Sequence, residues 1–223
     1  VLILASDYFI GGKTKMEYFT VSYNVVRDYR DIKAYPLHGH YSEFEVTKHG
    51  LGILPDEKLN LLVMAAGIRG YAEWFPRIFT GGMLRGRWNP SKNIPYYHQR
   101  AFGFGTYIRG YEYYVIDGQS YVIAKTSVRY QLLKPRVIKF PFLPLEKFNM
   151  LHLAIYTGIF ADAGYVEDRI SEISDNNFLG NTFLFGYGAG VDVVTYYDLA
   201  FRFEYAFNLR GENGIFFHLG APF

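Results

Sequence analysis

The stretch "LAFRFEYAFNL", residues 199–209, places Leu199, Phe201, Phe203, Tyr205, Phe207 and Leu209 on one face of an extended chain. Ala200, Arg202, Glu204, Ala206 and Asn208 fall on the other. Successive side chains of a strand point to opposite sides, so strict period two predicts a strand with one apolar and one polar surface. The preceding stretch alternates the same way, with Phe183, Phe185, Tyr187, Ala189, Val191 and Val193 against Leu184, Gly186, Gly188, Gly190 and Asp192. The final stretch sets Ile215, Phe217, Leu219, Ala221 and Phe223 against Phe216, His218, Gly220 and Pro222. Short links, "TYYD" and "RGEN", join the three into a predicted antiparallel meander.

Similar stretches lie near 17–29, 40–54, 58–72, 77–88, 120–133 and 147–162. Together they make about nine strands of roughly 9 to 16 residues, enough to cross a bilayer, where about 9–11 suffice. Strands of soluble sandwiches are typically shorter, about 5–6 residues. Of the 223 residues, 50% are hydrophobic and 19% aromatic, yet mean hydropathy is close to zero. The apolar residues are therefore dispersed among polar ones, and no run is long enough for a transmembrane helix. This patterning predicts an all-β fold, a transmembrane antiparallel β-barrel whose strands alternate lipid-facing apolar with lumen-facing polar residues.

Two links are long, 89–117 and 163–181, and counting strands back from a periplasmic end puts both outside. The segment around "KPRVIKFPFLPLE" is long for an inner turn. An odd number of strands leaves backbone groups unpaired at a sheet edge, which lipid cannot satisfy. Either the nine strands belong to a larger barrel, or the count is off and the barrel is a small closed one.

Several function classes find no support. A net charge of +2 gives no argument for nucleic acid. "GYGAG" lacks the strand-turn-helix setting of a phosphate cradle and reads as lumen-facing glycines. The acidic segment with Glu167, Asp168, Glu172 and Asp175 lacks EF-hand spacing. His38 and His40 form no H-E-x-x-H motif, and there is no G-x-S-x-G. No metal, cofactor or catalytic residue is expected, and zero cysteines decide little between compartments.

Four motifs in order resemble the BamA/TamA-type outer-membrane insertases of the bacterial surface antigen family, with two-partner-secretion transporters as cousins. The first is a periplasmic turn carried by Asp28, Arg30, Asp31, Tyr35, Pro36 and Gly39. The second is "FGFGTYIRGYEYY", similar to the family's sixth extracellular loop, with Ile108, Arg109, Gly110 and Tyr111. The third is Phe160, Asp162 and Gly164 at a strand end, and the fourth is the last three strands closing on Phe223. The resemblance spans nearly the whole chain but only the family's second half, about nine C-terminal strands of sixteen. "VLILASDYFI" has no basic n-region of a signal peptide, which fits a segment whose earlier strands and POTRA domains lie upstream.

The resemblance implies localisation in the cell outer membrane and assembly of other β-barrel proteins there through a lateral seam. Implied partners are outer-membrane lipids, nascent β-barrel clients and accessory lipoproteins. It also implies that the loop folds back into the lumen, where Arg109 pairs with an inner-wall acid. By parity Asp162, Asp192 and Glu204 all face inward, Asp162 being the best placed. Arg129 stands where the family commonly carries a glutamate, so the pairing stays open among the three. The seam is implied at the last strand, with Phe217, Leu219, Gly220 and Phe223. Two alternatives remain open, a transport pore or two-partner-secretion exporter, and a small self-contained outer-membrane barrel.

Overall fold

The computed structural model describes residues 15–55, 57–103, 105–139, 150–169, 177–195 and 199–220. The described residues contain eleven strands: β1 Thr20–Asp28, β2 Gly39–His49, β3 Leu61–Phe75, β4 Ile78–Trp88, β5 Arg100–Phe102, β6 Ile116–Asp117, β7 Ser120–Lys139, β8 Met150–Glu167, β9 Phe183–Thr195, β10 Ala200–Asn208 and β11 Asn213–Leu219. Nine form one sheet in the order β1-β2-β3-β4-β7-β8-β9-β10-β11. Each neighbour pair is antiparallel, as expected of a meander. β5 and β6 pair only with each other, inside the long link between β4 and β7.

The two faces differ as the alternation requires. On β10, Ala200, Arg202, Glu204, Ala206 and Asn208 are buried, while Phe203 and Tyr205 are exposed. On β11, Phe216 is buried while Ile215, Phe217 and Leu219 are 75%, 52% and 64% exposed. Exposing that much apolar side chain to water would oppose folding; against hydrocarbon it does not. Val122, Val128, Ile68 and Leu84 continue this outer surface across β3, β4 and β7. No helix among the described residues is long and apolar enough to cross a membrane.

Strand ends depart from the periodicity in informative places. β8 runs on to Glu167 and β9 begins at Phe183, so the second long link covers 168–182 instead of 163–181. Phe160, Asp162 and Gly164 sit within β8, because aspartate and glycine that resemble turn residues here occupy inward positions. β7 extends to Lys139 through two register shifts, between Gln131 and Leu133 and between Leu133 and Arg136. Pro135 lies in the second, and a residue without an N–H is tolerated at such an irregularity. The link between β3 and β4 shrinks to Pro76 and Arg77, the latter in the left-handed region at φ 70°.

Candidate functional site: a loop docked on the inner wall

The link between β4 and β7 does not stay outside. β5 and β6 clip it into a small hairpin, and Phe102, Ile108, Tyr111 and Ile116 form a buried cluster with Ile123, Val166 and Leu184 of the wall. The Tyr111 N–H donates to the Ile108 carbonyl at 2.9 Å, closing a tight turn around Arg109 and Gly110. Gly110 adopts φ +91°, a conformation that side chains with a Cβ rarely take. Its carbonyl accepts from Asn208 Nδ2 at 2.8 Å, and its N–H donates to Glu112 at 2.6 Å.

The wall is cut to receive this tip. A Cβ on Gly186 of β9 would stand 1.7 Å from the Arg109 carbonyl oxygen. One on Gly164 of β8 would meet the Ile108 side chain at 2.6 Å. Of the inward glycines of "GYGAG", Gly186 admits the backbone of the tip, while Gly188 and Gly190 lie against the Tyr205 and Phe203 carbonyls of β10.

Arg109, 1% exposed, is the largest fully buried side chain described. Its Nε donates to Asp162 Oδ2 at 2.8 Å and its Nη2 to Asp162 Oδ1 at 2.5 Å, a bidentate fork. Nη1 reaches Glu204 Oε1 at 3.2 Å, and Nη2 also donates to the Thr126 carbonyl at 3.0 Å. The guanidinium lies 4.0 Å from the centroid of the Phe160 ring. Charge-assisted bidentate bonds of this kind are the strongest an arginine makes, and here both partners are buried.

Of the three inward acids, Asp162 and Glu204 take Arg109 and Asp192 does not. Asp192 sits nearer the opposite end, 3.8 Å from Arg129 and 3.5 Å from Arg202. It accepts a hydrogen bond from the Tyr35 hydroxyl at 2.6 Å. Arg129, in register with Gly158 on β8, is thus neutralised away from Arg109. Arg202 bridges the two groups, lying 3.6 Å from Glu204 as well. Lys125, opposite Asp162 in the β7–β8 register, stands 4.0 Å from it. It escaped the sequence reading because parity assigns a face but not a cross-strand partner.

The β1–β2 turn closes the far end. Asp28 accepts a bidentate pair from Arg30 at 2.8 and 2.9 Å. Asp31 accepts from the N–H groups of Ile32 and Leu37 at 2.8 and 3.1 Å. Gly39 has φ +95°, and a Cβ there would meet the Tyr29 carbonyl at 2.0 Å. Pro36 is fully buried, and Tyr35 inserts between Phe79 and Tyr156 to reach Asp192. A Tyr35→Phe variant is expected to lose about 1.5–3 kcal/mol, the usual worth of a hydrogen bond to a charged group. Urea unfolding in lipid vesicles reads this; an unchanged midpoint would make the inserted hydroxyl dispensable.

At the last strand, Phe217 and Leu219 point outward. Gly220 has φ +111°, donates its N–H to the Ala200 carbonyl at 2.8 Å and accepts from Arg202 Nη2 at 3.1 Å. Phe223 and Pro222 lie outside the described residues, as do Glu172 and Asp175 of the acidic link. His38 faces Asp31 and Glu73, at 3.4 and 3.7 Å, and does not meet His40 in a shared ligand set.

The outer part of the long link carries a titratable group. His98 Nε2 lies 3.3 Å from the Tyr18 hydroxyl, and its ring is 4.9 Å from that of His49. Burial, together with the charges of His49, Arg87 and Arg100, pushes the imidazole down to about 4 from the ordinary 6.5. The unpacked loop therefore binds the proton first. Packing is at full strength above about pH 6.5 and weakens as pH falls toward 4. Amide exchange at Tyr96–Gln99 should quicken over that window and become nearly pH-independent, beyond the intrinsic rate, in His98→Gln. Identical profiles for the two proteins would rule the linkage out.

A nine-stranded antiparallel meander, apolar on one face and ionic on the other, with a loop packed against the ionic face, is the architecture of part of a membrane β-barrel. The Omp85 superfamily domain matches residues 6–223, and the chain belongs to that superfamily of outer-membrane barrel proteins of insertion and transport. Its fold is similar to the crystal structure of BamA from Haemophilus ducreyi lacking POTRA domains 1–3, with a TM-score of 0.61 at 15% identity. The match covers 91% of this chain and 41% of that one, so the chain spans less than half of that structure's length. No curated protein sequence matches it.

Proposed function

We propose that this chain contributes the client-receiving side of an outer-membrane insertase, one that assembles other β-barrels without covalent chemistry. The observation that carries the reading is the docked Ile108–Tyr111 tip. It cross-links β8, β9 and β10 through ionic and backbone contacts, whereas β11 pairs as a strand with β10 alone and meets the loop through the side chains of Phe216 and His218. β11 is seven residues long, against nine or more in every other strand of the large sheet as described. A rigid wall beside a short edge strand suits β-augmentation, in which an incoming strand pairs with exposed backbone groups that lipid cannot satisfy. Outer-membrane lipids and nascent barrels are the partners this requires, with accessory lipoproteins as its natural assistants.

The test places a photo-cross-linking residue at Phe217 or Leu219 of the full-length protein in cells. Adducts with newly made barrel proteins are expected at both positions, with few at Ile68 or Leu84 on the opposite side of the sheet order. Equal labelling at all four positions would discard the edge as the receiving site. Adducts with a single secreted protein would instead favour the exporter reading.

A further inference from the structure

Three polar atoms, one on the docked loop and two on the inner wall, converge with no hydrogen-bond partner: Glu112 Oε1, Glu204 Oε2 and His218 Nε2. All lie within 4.8 Å of one another. The imidazole nitrogen is 3.6 Å from the Glu112 oxygen and 3.5 Å from the Glu204 oxygen. The Glu112 and Glu204 side chains are only 10% and 3% exposed.

The second atom of each group is already engaged, which fixes how the first one points. Glu112 Oε2 accepts the Gly110 N–H at 2.6 Å. Glu204 Oε1 takes Arg109 at 3.2 Å and faces Arg202 at 3.6 Å. His218 Nδ1 meets the Tyr107 hydroxyl at 3.3 Å, and the two rings stack at 5.3 Å. Such outer contacts commonly set the tautomer and orientation of metal-binding histidines and carboxylates.

An imidazolium does not account for the arrangement. It has one N–H at Nε2, which can serve only one of two carboxylates, and both separations exceed hydrogen-bond length. A metal ion serves all three at once. Zinc holds N and O ligands at about 2.0–2.1 Å in a tetrahedron, so its ligand atoms stand about 3.3–3.5 Å apart. Magnesium and calcium prefer more oxygens than this cluster offers. Lys125, Arg109, Arg129 and Arg202 nearby oppose a cation; Asp162 and Asp192 offset two of these charges, and Glu112 and Glu204 supply the remaining negative charge.

We infer that Glu112, Glu204 and His218 form a binding site for a transition-metal dication of the zinc type, joining the loop tip to β10 and to the edge strand β11. The sequence hides it, since the ligands come from three separated segments without a motif. The site stands whether or not the insertase reading does.

The test uses full-length protein in lipid nanodiscs, stripped with chelator and titrated with Zn2+, then with Co2+ for its visible spectrum. Wild type should bind one more ion than His218→Gln or Glu112→Gln and show tetrahedral cobalt absorption that both variants lack. Affinity at this site should fall in each variant by at least the roughly 10–100-fold typical of losing even an outer-shell partner. Circular dichroism and heat-modified gel migration verify that at least one variant remains folded. Equal stoichiometry and spectra in wild type and a folded variant would overturn the site, as would no binding by wild type.

Discussion

Replacing Arg109 by alanine in the full-length protein is expected to destabilise the docked loop by about 3–5 kcal/mol, the usual cost of orphaning a buried charge. Asp162 is wholly buried and would retain only the Arg109 backbone N–H at 3.1 Å and Lys125 at 4.0 Å. Lys125 offsets part of the loss, so the lower end of that range is the better expectation. Arg109→Lys should recover little, because a compact ammonium cannot span both Asp162 oxygens and Glu204 together. Asp162→Asn should cost nearly as much alone and far less in the Arg109→Ala background, the signature of a coupled pair. Urea midpoints and protease cutting near Tyr107 give the measurement. Additive costs in the double variant would show that the pair is not the anchor. If the insertase reading holds, client barrels in the membrane should fall in the same variants.

A larger effect is expected from one β9 glycine. Gly186→Val sets a Cβ 1.7 Å from the Arg109 carbonyl oxygen. That oxygen belongs to backbone pinned on both sides, by Asp162 and Asn208. Neither strand nor tip can yield the needed distance without breaking the ion pairs, so the loop should leave the wall altogether. The variant should expose Tyr107 and Ile108 to protease at least as fully as Arg109→Ala does. Gly70→Ala on β3 is the control, since a Cβ there meets nothing within 4 Å. Protection of the loop in Gly186→Val would mean that the tip can dock in another pose.

How much of this was legible in the sequence differs by level. The faces of β8, β9, β10 and β11 follow from period two, because a strand has only two sides and lipid fixes which one is apolar. Asp162, Asp192 and Glu204 were therefore assignable to the interior. Their partners were not, because pairing depends on register and on how the loop re-enters. Lys125 beside Asp162 and Arg129 beside Asp192 needed the β7–β8 alignment and the inserted Tyr35. β5 and β6 are too short to carry a period. Pro135 falls in the segment read as a long inner turn, yet β7 absorbs it at a register shift.

The inner-wall ionic chain has an electrical consequence. Four cations, Lys125, Arg109, Arg129 and Arg202, stand among four carboxylates, Glu112, Asp162, Asp192 and Glu204. Without a bound dication their formal charges cancel, and all but Glu112 face an opposite charge of this set within 4 Å. Ion-selective pores instead expose rings of one sign to passing ions. Around the docked tip the charges face each other and present no such ring, so this part of the wall should add little discrimination between potassium and chloride.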